Sequence, residues 1–209
     1  MSIETWLAFV AASTVLLMIP GPTILTVISY SIAQGPSVRL PLVAAVALGD
    51  STALLLSLVG LGGLLAASAL AFELVKWIGG LYLIYMGLSM LRAGVSAQPG
   101  PADAPPPTES RTRLFLNTYA VTALNPKGIV FFVAFLPQFV QPQAEAAPQL
   151  WLLAITFVVL AALNAALYAV FAQSARRLLS SPTAQRRFHL TGGSLLAGAG
   201  LWALLMRRP

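Results

Sequence analysis

The sequence has no cysteine and a single histidine, His189, in 209 residues. Without thiols there are no disulfides, thiolate metal sites or dithiol redox relays. A lone histidine does not assemble a metal centre. Charge is scarce too. Only 9% of residues are Asp, Glu, Lys or Arg, where a soluble domain carries about 25%. Apolar residues fill the difference, at 58% of the chain with a mean hydropathy of +0.83. This composition belongs to a membrane protein. The net charge of +6 does not point to nucleic acid. The basic residues sit in connections between apolar runs, with no basic stripe interleaved with aromatics. Basic connections are what membrane topology predicts.

A helix needs about 20 apolar residues to cross the hydrocarbon core. Six spans are predicted, at roughly 4–33, 39–67, 72–92, 113–140, 149–175 and 187–206. The start, Met1-Ser2-Ile3-Glu4, lacks the basic stretch of a cleaved leader, so the first span is read as retained. Residues 96–112, SAQPGPADAPPPTESRT, are polar and Pro-rich and read as a flexible loop. The expected organisation is a single transmembrane domain over 1–209, with one repeat at 1–95, the loop at 96–112 and a second repeat at 113–209.

Topology follows Lys and Arg. Arg39, Arg92, Arg111, Arg113, Arg176, Arg177, Arg186 and Arg187 fall on one side of a six-span chain. Lys76, Arg207 and Arg208 fall on the other. The first side is then cytoplasmic and both termini are periplasmic. A five-span chain would move the C-terminal Arg pair inside.

The halves share a grammar. Each opens with a span broken by proline: Pro20-Gly21-Pro22 in the first, Asn125-Pro126-Lys127 in the second. Each continues with a span carrying one strongly polar residue near its middle, Asp50 and then Asn164. Three spans per half require the second half to be inverted. Paired breaks in inverted halves are the sequence mark of a transporter's binding site. The predicted fold is an all-α integral membrane protein with six transmembrane helices in two inverted three-helix repeats, the first and fourth helices broken at proline.

Proline lacks an N–H and clashes with the carbonyl four residues back. It also disfavours the helical region for the residue before it. The first helix should therefore stop near Ile19 and restart with Pro22 in its first turn. In the second break Asn125 is a good N-cap and Pro126 fits the first helical position. Each restart presents free N–H groups and a positive dipole end, a natural place for a carboxylate. Lys127 adds a full charge. The alternative is a pair of proline kinks that only shape packing.

Asp50 and Lys127 both lie deep in their predicted spans. Charges at that depth face a cavity, pair, or change protonation state. A carboxyl held between burial and a facing cation can take up and release a proton. The alternative is a structural Asp–Lys pair locking the halves together. Asn164 and Tyr168, four apart, share a helix face, as do Tyr82, Tyr85 and Ser89. They fit a polar cavity wall or plain interhelical hydrogen bonding. Gly49, Ala53 and Ser57, and Ser194 with Gly198, are assigned to close helix packing, within one chain or in a homodimer. Trp6, Trp77, Trp151 and Trp202 lie near span ends, as interface anchors do. Glu73 and Lys76 are read as interfacial.

The stretches PGPTILTVISYSIAQGPSVRLPLVAAVALGDSTALL, KWIGGLYLIYMGLSMLR and LNPKGIVFFVAFLPQFV, in that order over most of the chain, resemble the LysE/RhtB family of bacterial amino-acid exporters. The resemblance implies an inner-membrane efflux carrier for amino acids or their derivatives, coupled to protons and with no cofactor. It places weight on Pro20, Gly21, Pro22, Gly49, Asp50, Asn125, Pro126 and Lys127, which match the family's short motifs. A small zwitterionic substrate suits one acid and one base in an apolar cavity. Asn164, Tyr168 and Tyr85 are the further candidates for its wall. Two other classes fit the hydropathy: a membrane scaffold docking partners through its Pro-rich loop, and a small-solute channel. Deleting residues 98–108 separates carrier from scaffold. No catalytic cluster suggests an enzyme.

Overall fold

The computed structural model describes residues 1–67, 77, 81, 84–85, 87–89, 91–92, 109–141 and 144–205. Most of the third expected span, including Glu73, Lys76 and Tyr82, lies outside them. So do loop residues 96–108, Arg207, Arg208 and the Trp202 side chain. Among the described residues every regular element is helical.

Helix α1 spans Ile3–Met18. The Ser2 hydroxyl caps it by accepting from the Thr5 N–H, and Glu4 suits the positive end. Its 16 residues rise about 24 Å, less than the roughly 30 Å of hydrocarbon. It ends where Pro20 requires, with Ile19 extended at φ −75° and ψ 110°. Helix α2, Pro22–Gln34, restarts with Pro22 at its head. Gly35 has φ +71°, a conformation that glycine alone adopts cheaply. There the chain turns through a short 3-10 segment, Gly35–Val38, into α3, Arg39–Ala67.

The second half repeats the break with a different sequel. Helix α4, Arg111–Ala123, is capped by Ser110. After Leu124 and Asn125, α5 covers only Pro126–Val130. It continues as one π turn, Phe131–Phe135, and a 3-10 turn, Leu136–Phe139. The expected span of 113–140 is therefore not one regular helix after its break. Pro137 cannot donate to the ladder, so the regular helix ends ahead of it. Helix α6 is Ala146–Val170. A turn at Phe171 separates it from α7, Ala172–Ser180, which splits the expected fifth span. Helix α8 is Pro182–Leu205.

Among the described residues three stretches, 22–60, 111–139 and 146–170, are long and apolar enough to cross a membrane. On α6, Leu152, Ile155, Val159, Leu163, Leu167 and Val170 are all exposed. Their spacing draws one apolar ridge along the helix. The opposite face, from Leu153 and Phe157 to Ala161, Ala165 and Ala169, is buried. A helix apolar on both faces has its outer face in lipid.

The core gathers around α3 and α6. Phe9, Phe131, Phe132, Phe135, Phe139 and Phe157 form one cluster. Its rings meet at 4.8 Å for Phe132–Phe157 and 5.2 Å for Phe9–Phe139, both edge to face, the geometry aromatic quadrupoles prefer. A second cluster joins Val27, Tyr30, Val38, Leu42, Val46 and Leu114. Gly49 lets α3 lie directly on α4: a Cβ there would stand 2.7 Å from Thr122 Cβ and 3.0 Å from the Tyr119 carbonyl. Gly87 and Gly193 make a second close approach, the carbonyl oxygen of Gly87 lying 2.7 Å from where a Gly193 Cβ would be. Gly198, expected to pack closely, has open space at its Cβ position, and Ser194 is exposed.

Trp6 donates its indole N–H to the Thr156 hydroxyl at 3.1 Å, and Trp77 and Trp151 are exposed. Gln149 ties Gln141, Ala144 and Glu145 to the start of α6. Its amide donates to the carbonyls of Gln141, Ala144 and Glu145, and its carbonyl accepts from the Gln141 N–H.

Candidate functional site

Breaking a helix leaves its last carbonyls without donors. In this fold each carbonyl at the end of α1 finds a side chain from the second half. The Lys127 ammonium donates to the carbonyls of Leu16 and Ile19, both at 2.7 Å. Asn164 donates its amide to Leu17 at 3.1 Å. Tyr168 donates its hydroxyl to Met18 at 3.0 Å. Positive charge near a helix C-terminus is favourable, because the dipole is negative there. The role of Lys127 thus differs from the sequence expectation. Its ammonium sits on the negative end of α1 and does not simply reinforce a positive end. The partners are more than 100 residues away in sequence, so local pattern could not reveal them.

The two restarts also touch. The Asn125 amide donates to the Thr23 hydroxyl at 3.2 Å, and the Asn125 side-chain oxygen accepts from the Lys127 N–H at 3.1 Å. Asn125 is the N-cap and Pro126 takes the first helical position, as expected. At the other break Gly21 has no side chain to cap α2. The leading N–H groups of α2, on Thr23 and Ile24, are among the donors a helix start leaves free. Of the two restarts, then, the uncapped one is α2.

A cavity of about 50 Å³ lies between these ends. Gly21, Thr23, Asp50, Asn125, Lys127 and Asn164 face it, within a wall of Leu16, Ile19, Ile24, Val46, Phe157 and Ala161. It sits where the core clusters meet. The volume takes a few waters and is well under the roughly 300 Å³ of a small-ligand pocket. Asp50 is 9% exposed. Among the described residues it has no hydrogen-bond partner, and the one ion pair, Arg113–Glu109 at 3.7 Å, lies elsewhere. Asp50 and Lys127 share the cavity without a direct salt bridge. The structural lock of Lys127 is to backbone carbonyls, not to this carboxylate.

Of the predicted residues, the structure brings together Gly21, Asp50, Asn125, Lys127 and Asn164. Pro20, Pro22 and Pro126 shape the helix ends that bound the cavity. Tyr168 joins through the end of α1. Gly49 lies one residue from Asp50 but serves α3–α4 packing. Tyr85 is exposed and does not line the cavity. Thr23 was not anticipated, although its place directly after Pro22, in the first turn, could have signalled it. On the far side of Leu17 and Asn164 runs an open groove of about 610 Å³. Its lining is nearly all apolar, with Met18, Leu163, Leu167 and Phe171 exposed along it.

The chain is similar to known proteins over most of its length. The chain is 34% identical to a homoserine/homoserine lactone efflux protein of Salmonella typhimurium over 200 residues, covering 96% of each. It is 32% identical to an uncharacterized membrane protein of Vibrio cholerae, covering 96% of this chain and 97% of that one. It is 27% identical to a leucine efflux protein of Klebsiella pneumoniae, covering 74% and 73%. No solved structure matches it. The family model described as LysE type translocator matches residues 14–207. The chain therefore belongs to the LysE-type translocators, a family of membrane transporters and not of enzymes.

Proposed function

We propose that this chain exports an amino acid or a close derivative across the bacterial inner membrane, driven by the proton gradient and by alternating access. The observation that carries the reading is the shared cavity of Asp50, Lys127 and the uncapped start of α2. A zwitterion presents one anionic and one cationic group. The carboxylate goes to the N–H groups of Thr23 and Ile24, beside Lys127. The ammonium goes to Asp50, which exchanges a proton when the substrate is absent. The efflux activities named for two relatives support an amino-acid substrate. Both termini face the periplasm in this reading.

The cavity's small volume supports a cycle in which the halves part to admit substrate. The Asn125–Thr23 contact and the carbonyl cap on α1 are the joints that must yield. Homoserine and leucine efflux from preloaded proteoliposomes tests the proposal. Saturable efflux that accelerates with an imposed proton gradient is expected, with Asp50→Asn losing most of it at matched protein levels. Full-rate efflux by Asp50→Asn, or flux that never saturates, would overturn it.

A further inference from the structure

We propose that the carbonyl end of α1, together with Asp50, is a binding site for a small monovalent cation, and that the Lys127 ammonium is its tethered occupant. The inference deepens the carrier reading of this cavity and, for its role in transport, rests on it.

The break at Ile19 collects negative partial charge on the last carbonyls of α1. Two of those oxygens, on Leu16 and Ile19, converge on one nitrogen at 2.7 Å each. The ends of broken membrane helices hold alkali cations by such converging carbonyls. The two carbonyls between them are occupied differently. Neutral donors, Asn164 and Tyr168, take Leu17 and Met18. Charge is thus reserved for the one point where two oxygens meet.

Asp50 supplies the second observation. Asp50 is only 9% exposed as a residue, faces the same cavity and has no hydrogen-bond partner among the described residues. A buried acid left so calls for a cation nearby. Lys127 has three donors, of which two are spent on carbonyls, so the third is free for Asp50 or a substrate carboxylate. The stem is held in place as well. A Cβ on Gly21 would stand 3.7 Å from Lys127 Cδ, so the side chain runs along the first break. Among the described residues, Asp50 on α3 and the Tyr168 phenol on α6 are the other titratable groups facing this cluster. Helices α1, α2 and α4 add none to it.

A tethered ammonium makes the protein independent of alkali ions. Removing it, while leaving two carbonyls and one carboxyl in place, vacates a site with the donors and charge for sodium or a small amine. Purified Lys127→Ala and Lys127→Met are unfolded thermally in choline, sodium and methylammonium chloride at equal ionic strength. The unmodified protein should melt at one temperature in all three. Lys127→Ala should melt lower in choline and gain several degrees, saturably, in sodium or methylammonium, since a ligand stabilises the state that binds it. Lys127→Met, whose stem fills the amine's space, should respond to sodium but little to methylammonium. Adding Asp50→Asn to Lys127→Ala should erase the gain. Recovery of the variants only when sodium or methylammonium is present also supports the site. Variants indifferent to all three salts, variants unrecoverable in every one, or an equal gain by the unmodified protein would overturn it. The melting test needs no substrate. Unmodified protein that exports amino acids while the variants ignore cations sinks this inference alone. A cation effect without export sinks the export reading alone.

Discussion

The side-chain amide of Asn125 donates to the hydroxyl of Thr23 at 3.2 Å, across 102 positions of sequence. One side chain therefore caps its own helix and holds the start of α2. The two prolyl breaks form a single joint, and the charged cavity lies beside it.

Asn125→Ala should remove an N-cap worth about 1 kcal/mol as well as the link to Thr23. Thr23→Val removes the link alone. Thermal unfolding should rank them with Asn125→Ala clearly the less stable. Equal losses would mean that the cap contributes nothing.

Gly49→Ala should force α3 away from Thr122 and the Tyr119 backbone, which leave no space for a Cβ. Overpacking of this kind costs about 1–3 kcal/mol. Because Asp50 is the next residue, export should fall as well. Thr122→Gly in the same protein should restore part of the melting temperature.

Tyr168→Phe and Asn164→Leu each strip one donor from the end of α1. Interhelical hydrogen bonds in membranes average about 0.6 kcal/mol and reach about 1.7 kcal/mol, so both variants should fold with modestly lowered stability. Lys127→Ala should cost more, because it removes two bonds and a charge at once. A loss in Tyr168→Phe as large as in Lys127→Ala would give the phenol a role beyond capping.

Gln149→Leu should free Gln141, Ala144 and Glu145 from α6, since four hydrogen bonds to them involve this one side chain. Each hydrogen bond of this kind contributes about 0.5–1.5 kcal/mol net, so the variant should also melt lower. Limited proteolysis should cut near residue 144 in the variant and spare the unmodified chain.

The breaks were legible because proline acts on its immediate neighbours. Ile19 ends α1 and Pro22 begins α2 where the IPGP stretch requires, and Asn125 caps α5 as its residue type suggests. Asp50 and Lys127 stood out because charge is rare at such depth. The contacts of Lys127 were not legible. They depend on how two distant helix ends meet, and periodicity carries no information on that. The π turn at Phe131–Phe135 was missed although Pro137 announced an early end to the regular helix. The turn at Phe171 had no local signal: Val170-Phe171-Ala172 holds no proline or glycine.

A space of about 50 Å³ at the meeting of two helix breaks is also a plug. Among the described residues the space between the breaks is too small for an amino acid, while the Lys127 ammonium is held by backbone and Asp50 has no hydrogen bond. Under the proposed export cycle, a copy in this conformation carries no solute through the joint of its two breaks, so an idle carrier costs the cell nothing there.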